Sequence, residues 1–186
     1  MNPPRSAAAA LLALALTAAA CSNGGGGDSP GPPSLVLPSP RAVNATTAPL
    51  LPTGRFTLPD FDYSRFQTLM SQLQGTPVVI SLWGSWCGPC RGDAPVLAKS
   101  ARRFGHRVQF IGVDVGDVRT QARVFIRDFG WSFPSVFDPA RQILSGLGFV
   151  GPPITMLFDR SGKRGPFFSG PIPSQRELTR AIDKVA

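Results

Sequence analysis

The chain has 186 residues and a mass of 19.7 kDa, with 42% hydrophobic and 16% charged residues. That length accommodates one domain with a tail and excludes a large multidomain enzyme, and the apolar content is too high for a chain disordered throughout. The net charge of +8 comes from 19 Lys+Arg against 11 Asp+Glu; the arginines are scattered, with Arg102, Arg103 and Arg107 the densest group, which fits a solvated basic surface with mild attraction to anionic lipid and not nucleic-acid binding.

Arg5 is followed by Ala7–Ala20, apolar except for Thr17. A positive end, a short apolar stretch and small residues at its close predict a secretory signal over residues 1–20. The stretch falls short of the ~20 residues that span a bilayer as a helix. It ends in Ala18-Ala19-Ala20-Cys21 and resembles a bacterial lipoprotein signal, in which the cysteine becomes the lipidated first residue. Ala18 stands where that pattern prefers Leu. Cleavage at an A-x-A site, giving a secreted protein, is the alternative. Lipidation of Cys21 would leave none of the three cysteines unpaired outside the cell. Residues 21–53 hold Gly24–Gly27 and a series of prolines from Pro30 to Pro52. They read as a disordered tether of roughly 30 Å root-mean-square span, lifting a folded domain at 54–186 off a membrane.

Within that domain, Phe56–Leu58 reads as a short strand. Phe66, Leu69, Met70 and Leu73 stand at helical spacing, with Gly75 as the stop. The β-branched run Pro77–Trp83 predicts a buried strand. A helix over Gly88–Phe104, interrupted at Pro95, and an apolar strand over Arg107–Val113 follow. Arg119–Phe129 predicts a helix ended by Gly130, and a short helical piece lies near Pro139–Leu147. Ile154–Phe158 is the next strand, Asp159–Gly162 a turn, and Phe167-Phe168 the start of a last strand antiparallel to it. Ser174 and Glu177 form a capping box for a final helix with Leu178, Ile182 and Val185 on one face. Alternating strands and helices make the domain α/β, and no repeat is present.

Chemistry concentrates in Trp86-Cys87-Gly88-Pro89-Cys90, directly after the first buried strand. A strand that runs into a helix puts Cys87 at the helix N-terminus, where unpaired N–H groups and the helix dipole favour a thiolate. Pro89 suits the first turn because its missing N–H has no intrahelical acceptor to lose. Cys90 is one turn on, within reach of Cys87. The expected roles are an exposed attacking thiolate at Cys87 and a buried resolving thiol at Cys90. A zinc site needs about four ligands, and only these two cysteines, the lone His106 and some carboxylates are on offer. A purely structural disulfide would close a very small loop and restrain the unfolded chain little. A peroxidatic cysteine is the third alternative. No metal and no cofactor beyond the cysteine pair is expected. Trp86 is expected to pack beside Cys87 and keep water partly away; Trp83, Phe125 and Phe129 are expected in the core, and His106 has no catalytic role.

The segment Val78–Pro95, with its Trp-Cys-Gly-Pro-Cys, Arg91, Asp93 and Pro95, resembles the thioredoxin superfamily, and more narrowly its membrane-anchored TlpA/ResA-like thiol–disulfide oxidoreductases. Ile111–Val115 and Gly151–Asp159 match two further strands of that branch, and the resemblance covers about residues 54–186. It implies a thioredoxin fold: a central mixed sheet flanked by helices, behind an N-terminal extension. It implies that Pro153 is the cis-proline lying against the cysteine pair, and that Trp86, Gly88, Pro89, Pro152 and Ile154 contact substrate. Pro152 stands where the family has Val or Thr, and has no N–H to offer a substrate backbone. Thioredoxin carries a proton-accepting Asp six residues before the first cysteine; here that residue is Ser81. The TlpA/ResA-like branch places a carboxylate three residues after the second cysteine, and Asp93 stands there in place of the usual Glu. An exposed first-turn acid is the alternative role for Asp93.

The resemblance further implies a disulfide reductase on the extracytoplasmic face, acting on exported proteins such as apocytochrome c and fed by a membrane thiol electron donor. The expected protein is a lipid-anchored monomer. A non-catalytic binding module on the same fold, and a peroxidase, are the competing functions.

Overall fold

A computed structural model of the protein describes residues 48–186. The signal at 1–20, Cys21 and the tether up to residue 47 lie outside the described residues. Leu50 and Leu51 already pack against the core, so ordered packing starts ahead of residue 54. Among the described residues, no helix is long and apolar enough to cross a membrane.

Among the described residues ten elements follow in order: α1 (Tyr63–Gln72), β1 (Val78–Trp83), α2 (Gly88–Phe104), β2 (Gln109–Val115), α3 (Arg119–Asp128), β3 (Ser135–Asp138), α4 (Gln142–Gly146), β4 (Ile154–Phe158), β5 (Arg164–Ser169) and α5 (Gln175–Asp183). The strands form one sheet in the order β3-β2-β1-β4-β5. β1, β2 and β3 are parallel; β4 runs antiparallel to β1, and β5 to β4. The mixed thioredoxin-like sheet expected from the sequence is therefore present.

The sheet has a core on each face, because alternate residues of a strand point to opposite sides. Val79 and Trp83 of β1 face a cluster built with α2, α3 and α5. Val78, Ile80 and Leu82 face a second cluster shared with α1 and α4. β1 is buried along its whole length, which fits a sequence apolar at every position but Ser81. Full burial of each large apolar side chain contributes about 1.5–3 kcal/mol.

Four local expectations change. Phe56–Leu58 is not a strand. Leu58 is fully buried at φ +45, and Arg119 Nη1 donates to its carbonyl. A left-handed leucine costs about 1–2 kcal/mol, which its burial offsets. Pairing begins just beyond, where the Phe137 N–H donates to Pro59 O and the Phe61 N–H to Phe137 O, both at 2.8 Å. This short bridge covers the edge strand β3. β3 itself was not apparent from the sequence. Pro95 does not interrupt α2. It lies on the exposed face, where the Arg91 carbonyl that loses its partner can reach water. β5 begins at Arg164 rather than Phe167. It is an edge strand with a register shift opposite Met156–Phe158, so Pro166 disrupts no interior ladder.

Two helix signals read from the sequence, the Ser174 cap and the Gly130 stop, match local contacts. The Glu177 N–H donates to Ser174 Oγ at 3.2 Å; α1 is capped as well, by Asp62, which the sequence reading did not single out, with the Arg65 N–H donating to Asp62 Oδ1 at 2.7 Å. Gly130 takes φ +62 directly after the α3 C-cap.

Candidate active site

β1 ends at Trp83, and four residues later the chain enters α2. Cys87 is the N-cap of α2, and the Cys90 N–H donates to Cys87 Sγ at 3.2 Å. A disulfide joins the two residues, with Cα atoms 5.3 Å apart. Gly88 and Pro89 are exposed beside it. Contrary to expectation, Cys87 is only 3% exposed, close to the 2% of Cys90. In the disulfide its sulfur is bonded to Cys90, and both residues belong to the cluster that holds Leu58, Trp83 and Phe125.

Asp93 is the third helical residue beyond Cys90 and is 4% exposed, so it is not a solvated first-turn acid. The Ile172 N–H donates to its Oδ1 at 2.9 Å, while Oδ2 is buried without a hydrogen-bond partner. Burial pushes the Asp93 carboxyl above its ordinary range, and the Ile172 N–H partly opposes that shift. A carboxyl with one oxygen anchored and the other free, one turn from a thiol, is suited to hold a proton. Ser81 lies on β1 and carries no carboxyl.

The Pro152–Pro153 peptide bond is cis. Pro153 is buried, its carbonyl accepts from the Gly170 N–H at 2.9 Å, and Pro152 is half-buried. Ile154 does not fit a substrate-contacting role. It is 3% exposed, sits in the cluster on the sheet face away from the cysteines, and is paired with Leu82 on one side and Ser169 on the other.

Trp86 is half-exposed. Its Nε1–H donates to Val115 O at 3.0 Å. A Cβ on Gly84 would stand 2.6 Å from that nitrogen, so the indole lies directly on the glycine backbone. The Arg141 guanidinium sits 5.6 Å from the ring centroid. Trp86 thus forms a ledge next to Cys87. Trp83 and Phe125 are core residues, stacked at 4.6 Å, and His106 is exposed.

Sequence reasoning missed a group of buried acids beside this loop. Asp114 and Asp138 are fully buried, and Asp117 follows β2. The Ser85 N–H donates to Asp117 Oδ2 at 2.5 Å, the Ser85 hydroxyl to Oδ1 at 2.8 Å, and the Val118 N–H to Oδ1 at 2.6 Å. Asp138 accepts from the N–H groups of Gln142, Ile143 and Leu144 at 2.7, 3.0 and 3.1 Å. The available signal was an aspartate within the apolar run Ile111–Val115. Among the described residues, no group of three or more His, Cys, Asp or Glu could hold a metal ion.

A buried cysteine pair at the start of the helix after the central strand, together with a cis-proline ahead of the antiparallel strand, defines a dithiol–disulfide protein of thioredoxin fold. The AhpC/TSA family profile matches residues 51–166, and the chain belongs to that family. It is 32% identical over 109 residues to the thiol-disulfide oxidoreductase ResA of Bacillus subtilis (strain 168), covering 58% of this chain and 60% of the relative. It is also 32% identical over 119 residues to ResA of Geobacillus thermodenitrificans (strain NG80-2), covering 61% of this chain and 68% of that one. Among solved structures it is similar to DsbF of MTB in its mixed oxidized and reduced forms, with a TM-score of 0.58 and 28% identity over 62% of this chain and 84% of that chain. The match therefore spans about three fifths of the Bacillus subtilis relative. The resemblance read from the Trp-Cys-Gly-Pro-Cys segment agrees with these relatives.

Proposed function

We propose that the protein is an extracytoplasmic thiol–disulfide oxidoreductase that works as a disulfide reductase on exported proteins, apocytochrome c among them. It is held at the membrane through lipidated Cys21 and reduced again by a membrane thiol donor. The observation that carries the reading is the Cys87–Cys90 disulfide at the mouth of α2, with the Asp93 carboxyl buried one turn further on. Relatives named thiol-disulfide oxidoreductases support it.

In the reduced protein, Cys87 as a thiolate attacks one sulfur of a substrate disulfide. A mixed disulfide forms, and the other substrate sulfur leaves and takes up a proton. Cys90 gives its proton to Asp93 and attacks Cys87 Sγ. The Cys87–Cys90 disulfide closes, and the second substrate thiolate departs. Two electrons pass from the protein dithiol to the substrate disulfide. The half-exposed Trp86 and the exposed Gly88 and Pro89 offer the surface on which the substrate chain docks.

The test is reduction of insulin by dithiothreitol in the presence of the purified protein. Insulin reduction no faster than with Cys87→Ala would reject the activity, as would failure of the reduced residue 87 thiol to react with iodoacetamide. Thiol trapping in cells then reads the direction. A mostly reduced pair is expected, and a mostly oxidised pair would overturn the reductase assignment.

A further inference from the structure

Asp114 lies on β2 between Trp83 of β1 and Phe137 of β3, at 0% exposure. No N–H or O–H of the described residues donates to either of its oxygens. The carboxyl of Asp117 is the charge that acts on it most strongly. A buried carboxylate that no donor meets is strongly disfavoured against the neutral acid. Three donors converge on Asp117, from Ser85 N–H, Ser85 Oγ–H and Val118 N–H. The charge therefore belongs on Asp117 and the proton on Asp114.

Asp117 holds a defined piece of the site. Ser85 stands two residues before Cys87, and both its N–H and its hydroxyl end on Asp117, 32 residues away in sequence. The adjacent Trp86 is bonded to Val115, between the two aspartates. Gly116, at φ +56, lies under the Arg141 side chain, and its N–H donates to Asp138 O at 2.9 Å. The loop carrying the Trp86 ledge is thus fastened to the end of β2 at Val115 and Asp117.

We propose that Asp117, backed by the buried Asp114, is a positioning residue that clamps the Gly84–Trp86 loop and so sets where a protein substrate meets Cys87. This assignment rests on the proposed oxidoreductase function. The charged groups acting on Asp114 are Asp117, Arg119 and Asp138; Arg141 lies against Gly116, and Arg91 Nη1 donates to Ser85 O at 3.5 Å. Arg119 favours the ionised form of Asp114, whereas burial and the two other aspartates favour the protonated form.

Two measurements test the clamp. In insulin reduction, Asp117→Ala is expected to raise KM about tenfold and to lower kcat by no more than about twofold, because positioning of the substrate is lost and the thiol chemistry is retained. Asp117→Asn keeps an oxygen for Ser85 and is expected to recover most of the KM. The second readout needs no turnover. The fluorescence of Trp86, taken as the difference between wild type and Trp86→Phe, is expected to change as alkaline pH removes the Asp114 proton. The same difference in an Asp114→Asn background is expected to stay flat. A Trp86 signal that titrates identically with Asn at 114, or an unchanged KM in a folded Asp117→Ala protein, would overturn the proposal. If wild type reduces no insulin, the proposed function fails, and the Trp86 titration still decides the clamp.

Discussion

Asp114 makes stability depend on pH in a way that an ordinary surface carboxylate does not. Its carboxyl is pushed from 3.8 up to about 9, first by burial and then by the charge of Asp117. Between those two values the folded protein holds a proton that the unfolded chain releases. Stability must therefore fall as pH rises through this window and level off above it. With one extra proton bound in the folded state, the slope is about 1.4 kcal/mol per pH unit. From pH 6 to pH 8, Asp114 alone removes about 3 kcal/mol, a sizeable part of the 5–15 kcal/mol typical of a domain. The perturbation is Asp114→Asn. The amide is neutral and has no proton to lose in this range, so its stability at pH 6 should lie within about 1 kcal/mol of wild type. Urea unfolding of the oxidised protein at pH 6, 7 and 8 provides the assay, because the cysteines then do not titrate. Groups common to both proteins cancel in the difference. The variant should gain on wild type by about 1.4 kcal/mol with each unit. A gap that stays constant from pH 6 to pH 8 would refute the protonated, buried Asp114.

Two further outcomes follow from the same contacts. Asp93→Asn can keep the Ile172 bond but cannot accept the Cys90 proton, so resolution of the mixed disulfide should slow by about 100-fold with little loss of stability. Because the Asp93 carboxyl is raised, the wild-type rate should fall as acid protonates it, and the variant should lose that acid limb; stopped-flow measurement of mixed-disulfide decay against pH checks both. Asp138→Ala removes the shared acceptor of three N–H groups at the start of α4, and thermal unfolding should report a loss of about 2–4 kcal/mol.

Features that depend on neighbours along the chain can be read from residue type and spacing alone. The β-branched run of β1, the Cys-Gly-Pro-Cys turn into α2, the Asp159 turn and the Ser174 cap each act within a few residues, so spacing and residue type suffice to place them. The chemistry of the site was legible for the same reason, since Cys87 and Cys90 meet within one helical turn. Features that depend on partners from distant parts of the chain were not. Leu58 adopts its left-handed turn because burial and Arg119 hold it there, and β3 exists because β2 pairs with it. Asp93 changed from an ambiguous first-turn acid to a buried one when Ile172, 79 residues away, came to its side chain. The near-complete burial of Cys87, the exposure of Trp86 and the removal of Ile154 to the other face of the sheet likewise follow from how the layers pack. The acid pair behind the loop is the extreme case. A carboxyl is driven toward its neutral form where tertiary packing excludes water from it, more so with a second carboxylate nearby, and no local pattern encodes that.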